Sequence, residues 1–114
     1  MNEGLYDTSV IISSMVSGIA ASAGSHSDIT NLANHSSVLL LNAQSDTYHP
    51  MQTIADFATL TQAFTTTADK LSGLRIAWVG DANNVLSDTR IGAKRLGIDM
   101  AVATLKGHEI SLGD

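Results

Sequence analysis

His49-Pro50-Met51-Gln52-Thr53-Ile54-Ala55-Asp56 holds the only proline of the chain, and the rest is read outward from it. Proline suits the first turn of a helix, where its missing N–H costs no hydrogen bond. A helix starting at Pro50 puts His49 at its N-terminus, beside backbone N–H groups that have no intrahelical partner. It also spaces His49, Gln52 and Asp56 by three and four residues, on one helical face. Two readings follow. The stretch is a capped helix start with a surface histidine. Alternatively, an imidazole, a carboxamide and free N–H groups converge there as donors for an anionic or carbonyl-bearing ligand.

The helix from Pro50 to Phe64 carries apolar residues at Met51, Ile54, Ala55, Ala58, Leu60 and Phe64. Upstream, Asn42 to Tyr48 is a loop, and Val38-Leu39-Leu40-Leu41 is a short apolar run that reads as a strand buried on both faces. Before it, Ser27-Asp28 opens a helix ending near His35-Ser36, and Ser22 to Ser27 is a loop. Asp7-Thr8 caps a first helix with Val10, Ile11, Met15, Val16 and Ile19 as its apolar positions. Ile19-Ala20-Ala21 is a weaker strand signal. Downstream, Thr65 to Lys70 is a polar run. Leu74 to Val79 is the clearest strand, Asn83-Asn84 begins a helix that Gly97 stops, and Ile98 to Thr104 is a further strand. Lys106-Gly107-His108 is a loop, followed by a poorly ordered tail. Alternating helices and strands predict an α/β architecture with parallel strands.

Composition narrows the function classes. The chain has 114 residues, 44% hydrophobic and 15% charged, enough for one globular domain or part of a larger one. A chain of this size buries roughly two-thirds of its unfolded surface. With one Trp, two Tyr and two Phe, its core is mostly aliphatic, and Trp78 is read as part of it. The net charge of −5 argues against a nucleic-acid surface or a polybasic membrane patch. The absence of cysteine excludes disulfides, thiolate nucleophiles and Cys-based zinc sites. No run of about 18 apolar residues predicts a membrane span. Met1-Asn2-Glu3-Gly4-Leu5 is neither a transit peptide nor a secretory signal, so no targeting segment is expected in this chain. His26, His35 and His108 lack metal-ligand spacing and are read as surface residues. Ser13-Ser14 and Ser36-Ser37 lack an organised His/Asp partner for nucleophilic catalysis.

In open α/β sheets, ligands bind beyond the carboxyl ends of strands. His49 follows one predicted strand, and Gly80-Asp81-Ala82-Asn83-Asn84-Val85 follows another. The second turn lacks the glycines of a dinucleotide fingerprint, which weakens a generic nucleotide-binding reading and makes a nicotinamide or flavin cofactor an unfavourable expectation. Its asparagines offer donors and acceptors that can orient a zwitterion. The alternative is that Asp81 or Asn83 simply caps the next helix.

Leu41 to Asp56 and Trp78 to Val85 together closely resemble the ornithine carbamoyltransferases of fungal type. Tyr6-Asp7-Thr8, Ser13-Ser14-Met15-Val16, His26-Ser27-Asp28-Ile29 and Ala103 to Ile110 fit the same family. The H-P-x-Q-x-x-A-D element is specific to the aspartate/ornithine carbamoyltransferases, and W-V-G-D-x-N-N points to the ornithine branch. The resemblance implies two α/β domains, the second Rossmann-like, joined by long helices and assembled as a homotrimer. It implies carbamoyl transfer from carbamoyl phosphate to L-ornithine, giving citrulline and phosphate in arginine biosynthesis or the urea cycle, with no metal or organic cofactor. His49 and Gln52 would contact the carbamoyl group and stabilise its developing oxyanion. Asn84, with Asn83 beside it, would hold ornithine. Residues 1–48 would end the carbamoyl-phosphate domain, 49–66 would be the interdomain helix, and 67–114 would begin the ornithine domain. The compartment implied is the mitochondrial matrix or the cytoplasm.

The departures are specific too. The family's Ser-Thr-Arg-Thr-Arg loop lies upstream of the matched region and its His-Cys-Leu-Pro segment downstream. The chain therefore corresponds to a middle section. The family's Ala-Arg-Val-Gly before a histidine is Ala21-Ser22-Ala23-Gly24-Ser25-His26 here, and Leu39 and Leu105 stand near family prolines. Serine cannot supply arginine's planar charged fork, and losing that contact costs several kcal/mol of transition-state stabilisation. The isolated chain is thus expected to make no citrulline. The alternative is a non-catalytic interaction protein that associates with full-length carbamoyltransferase subunits through exposed apolar surface.

Overall fold

A computed structural model describes residues 4–64 and 71–108. The element order is α1(Leu5–Met15), β1(Gly18–Ser22), α2(His26–His35), β2(Leu39–Gln44), α3(Pro50–Phe64), β3(Arg75–Val79), α4(Asn84–Leu96) and β4(Asp99–Ala103). Helices and strands alternate as expected, and both strand pairs, β1–β2 and β3–β4, are parallel. The chain divides into two compact units, Met1–Met51 and Gln52–Asp114. The polar run from Thr65 to Lys70 and the tail from Glu109 lie outside the described residues.

In the first unit β1 and β2 run in register from Gly18 opposite Leu39 to Ala21 opposite Asn42, and then a bulge sets Ser22 opposite Gln44. Bulges re-aim side chains where pairing ends. β2 begins and ends later than the sequence suggests, and it is not buried on both faces. Leu39 is 71% exposed and Leu41 46%. A two-stranded sheet offers too little cover for the doubly buried strand that a continuous apolar run usually signals. The β1 signal was correctly placed, though its residues alternate between exposed and half-buried.

The helices of this unit correct two boundaries and one face. α1 starts at Leu5 after Gly4, with Asp7 in its first turn and no side-chain cap, so Asp7-Thr8 is inside the helix. α2 is capped by Ser25, whose side chain accepts from the Ser27 backbone N–H, two residues before the expected start. The buried residues of α1 are Ser9 (1% exposed) and Ser13, not its large apolar side chains. The Ser9 hydroxyl donates to the Leu32 carbonyl of α2 at 2.6 Å, and the Ser37 hydroxyl donates to the Ser13 carbonyl at 3.3 Å. Tyr6, Ile11 and Met15 are exposed.

The second unit has an aliphatic core, as the composition suggests. Leu71, Ala93 and Ile98 form its centre, with Phe57, Leu60, Leu74, Ile76 and Met100 packed against it. α3 has the predicted span, but its buried ridge runs through Thr53, Phe57 and Leu60, leaving Met51, Ile54 and Phe64 exposed. The Thr53 and Thr89 hydroxyls meet at 3.4 Å between α3 and α4, and Thr89 also donates to the Val85 carbonyl at 2.7 Å. Gly97 ends α4 in the left-handed conformation at φ 69°, where a side chain is disfavoured.

Candidate functional site

The carboxyl ends of β1 and β2 are tied together by polar contacts. The Ala23 N–H donates to the Gln44 carbonyl at 3.0 Å, and the Asp46 N–H donates to the Gly24 carbonyl at 3.1 Å. Ser45, only 1% exposed, is the hub of the loop. Its hydroxyl oxygen accepts the Tyr48 N–H at 3.1 Å, lies 3.5 Å from the Asn42 amide nitrogen, and is 3.2 Å from His26 Nδ1. Its own N–H donates to the Tyr48 carbonyl at 2.8 Å. The His26 ring meets Tyr48 edge-on, with centroids 5.0 Å apart. These contacts fix the turn that delivers the chain to His49.

Asp46 closes the same turn. Its carboxylate accepts the backbone N–H of His26 at 2.9 Å and the Thr47 hydroxyl at 3.0 Å. The His26 backbone bond, followed by the Thr47 bond, holds the Asp46 carboxyl below the usual carboxylate range. An exposed carboxylate of the chain's own thus sits at the N-terminus of α2, where the helix dipole favours negative charge.

His49 is half-buried directly before α3, with its Nδ1 shielded from solvent. Pro50 is the first residue of α3, as its chemistry predicts. Gln52 lies in the first turn of α3 and belongs to the second unit. Its amide donates to Asp56 Oδ1 at 2.8 Å, the i to i+4 contact expected of that face.

In the second unit the turn after β3 is built by backbone bonds. The Gly80 N–H donates to the Ala103 carbonyl at 3.1 Å, and the Ala82 N–H donates to the His108 carbonyl at 3.2 Å. Trp78 is half-buried rather than a core residue, and its indole N–H donates to the Asp81 carbonyl at 3.2 Å. Asp81 and His108 approach to 3.3 Å while both stay largely exposed. Asn83 caps α4, its side-chain oxygen accepting from Val85 and Leu86 N–H, each at 3.1 Å. Asn84 is the first residue of α4 and is half-buried. An open groove on the β3–β4 sheet, lined by Arg75, Ile76, Ala77, Asp99, Met100 and Ala101, holds none of the sequence-predicted site residues.

Of the histidines read as surface residues, His35 and His108 are exposed, whereas His26 is half-buried in the Ser45 network. The signal for that network was the Asn42…Ser45-Asp46 series ahead of Tyr48, side chains that hydrogen-bond local backbone in turns. Among the described residues no cluster of His, Asp or Glu could hold a metal ion. No described helix is long and apolar enough to cross a membrane.

Residues 1–62, more than half of the chain, match the family model described as "Aspartate/ornithine carbamoyltransferase, carbamoyl-P binding domain". The chain belongs to the aspartate/ornithine carbamoyltransferase family. Among curated carbamoyltransferases, the mitochondrial ornithine carbamoyltransferase of Emericella nidulans is 57% identical over 96% of this chain and 32% of its own length. The Saccharomyces cerevisiae ornithine carbamoyltransferase is 39% identical over 96% of this chain and 34% of its own length. The crystal structure of the mitochondrial ornithine carbamoyltransferase from Coccidioides immitis matches with a TM-score of 0.89 and 59% identity, over 97% of this chain and 36% of the solved one. The Thermus thermophilus ornithine carbamoyltransferase matches with a TM-score of 0.86 and 40% identity, over 98% and 38%. The chain thus has the α/β carbamoyltransferase fold and spans about a third of the length of these relatives.

Proposed function

We propose that this chain carries part of the centre of an ornithine carbamoyltransferase, which transfers the carbamoyl group of carbamoyl phosphate to L-ornithine. The observation that carries the reading is the Ser45-braced turn that places His49 at the start of α3, in a chain whose relatives are named for this reaction. His49 and Gln52 are donors for the carbamoyl oxygen, and Asn84, with Asn83 beside it, is the ornithine contact. α3 is the interdomain helix in this reading. Homotrimeric assembly and a mitochondrial setting, the latter from the names of the fungal relatives, belong to the same proposal. The test is to graft residues 4–108 into the corresponding third of the Coccidioides immitis enzyme and assay citrulline. With Ser22→Arg included to restore the charged fork, the graft is expected to turn over, and adding His49→Ala to lower kcat by about 100-fold or more, the scale of a lost oxyanion donor. A His49→Ala graft as active as its parent overturns the assignment. The 114 residues alone are expected to form no citrulline above background.

One observation favours a second reading, a protein that associates with full-length carbamoyltransferase subunits. α1 turns two serines inward and leaves Tyr6, Ile11 and Met15 in solvent. A helix apolar on its outer face is ordinarily covered. Co-expression with the Coccidioides immitis subunit, followed by size-exclusion chromatography, is expected to give a joint peak that Ile11→Glu/Met15→Glu abolishes. Separate elution of the parent chain removes this reading.

A further inference from the structure

The H-P-x-Q-x-x-A-D element ends on Asp56, which has no role in the function proposed above. Asp56 is the one charged residue of α3 and lies inside the helix. Aspartate is among the weaker helix formers. The helix dipole favours an anion only near the first turn, and the first turn of α3 holds no acidic residue. α3 has no lysine or arginine to pair with the carboxylate. What the carboxylate meets is Gln52, whose Nε2 donates to Asp56 Oδ1 at 2.8 Å. We infer that Asp56 is a positioning residue for the Gln52 carboxamide, selecting one of its two flips and so fixing how Gln52 meets a carbamoyl group. This role rests on the carbamoyltransferase reading of Gln52.

The two ends of a carboxamide are alike in shape and opposite in chemistry. Turned over about its last bond, Gln52 exchanges a donor for an acceptor. An ionised carboxylate only accepts, so Asp56 bonds the nitrogen end and rejects the oxygen end. One Gln52 N–H is thereby engaged, the second is left for a ligand, and the oxygen takes the other edge. The selection matters for a carbamoyl group, itself an amide with an acceptor oxygen and a donor nitrogen. A freely turning Gln52 meets the carbamoyl oxygen with its own oxygen as often as with its nitrogen.

The substitutions at position 56 separate orientation from packing. Asparagine matches aspartate in size, yet it has a donor as well as an acceptor and satisfies either flip. Glutamate keeps an acceptor-only end on a longer arm. The pair is exposed at i and i+4 of one helix, where such contacts add little to stability. Its consequence is therefore orientation and not folding.

Two measurements test this. In the 114-residue chain, side-chain amide spectra are expected to show one Gln52 Hε proton shifted downfield of an ordinary exposed glutamine. The shift should persist in Asp56→Glu and move back in Asp56→Asn, with an unchanged urea midpoint in both. In the Coccidioides immitis graft carrying Ser22→Arg, Asp56→Asn is expected to raise KM for carbamoyl phosphate by about 2- to 10-fold, the scale of one net hydrogen bond, and to leave KM for ornithine alone. Asp56→Glu should restore most of that loss. In a Gln52→Ala graft, Asp56→Asn should add nothing, because its effect passes through Gln52. An independent effect there overturns the positioning role. So does an ordinary Gln52 amide in the parent chain, or an Asp56→Asn graft with unaltered kinetics. Gln52→Ala as active as its parent graft instead removes the carbamoyl role of Gln52, and with it the role of Asp56 in the reaction, while the amide shift still reports the orientation.

Discussion

Gly92→Val is expected to destabilise the second unit by about 2–3 kcal/mol, the upper range of overpacking costs. Gly92 lies within α4, where glycine is otherwise unfavourable by about 1 kcal/mol relative to alanine. The reason for its presence is Phe57. A Cβ at position 92 would overlap Phe57 Cε2 and lie 3.0 Å from Cζ and 3.3 Å from Cδ2. The ring has little room to yield, because Phe57 also packs on the cluster of Leu71, Ala93 and Ile98. Gly92→Ala regains part of the loss through helix propensity and is expected to be milder. Urea unfolding measures both, and an unchanged midpoint for Gly92→Val contradicts the packing argument. In Phe57→Leu the same valine should cost less, since contacting pairs are non-additive.

Ser45→Ala is expected to cost about 1–2 kcal/mol, because it strands part-buried donors rather than merely removing one bond. The Tyr48 N–H and the Asn42 amide lose their acceptor, and the His26 ring loses a neighbour. Amide exchange at His26 to Ile29 and at Tyr48 should accelerate together, and the His49 ring signals should broaden as the turn loosens. Acceleration at Tyr48 alone would mean that the two loops are not one latch. Asp46 gives the latch a pH dependence of definite sign. Its folded carboxyl is held low, so its contribution is complete above the ordinary carboxylate range and is lost as pH falls below about 4. Asp46→Asn should flatten that slope.

Local chemistry was legible in the sequence wherever one residue type has few alternatives. Pro50 fixed the start of α3, Gly97 the end of α4, and Asn83 its cap. Those positions depend on a ring, a missing side chain and a short side-chain oxygen, all local properties. The buried faces were less legible. Val10, Ile11 and Met15 look like the inner stripe of α1, yet Ser9 and Ser13 face inward, because a hydroxyl bonded to the Leu32 carbonyl satisfies a polar group that a methyl would leave stranded. The continuous Val38 to Leu41 run looks like a doubly covered strand, yet among the described residues β2 pairs only with β1. For the candidate site, helical spacing singled out His49 and Gln52, and the family resemblance singled out Asn84. The Ser45–His26 bracing depends on two loops meeting 19 residues apart, which no local pattern encodes.

The cap on α4 has a consequence for the ornithine contact proposed above. Asn83 already spends its side-chain oxygen on two backbone N–H groups. A ligand ammonium that claims the same oxygen competes with the first turn of α4 for it, and a lost cap costs about 1 kcal/mol. Occupancy at Asn83 would therefore be linked to fraying of the helix, a penalty of roughly five-fold in affinity. Asn84 leaves that oxygen in place. In the ornithine reading proposed above, a contact at Asn84 therefore leaves the cap of α4 intact.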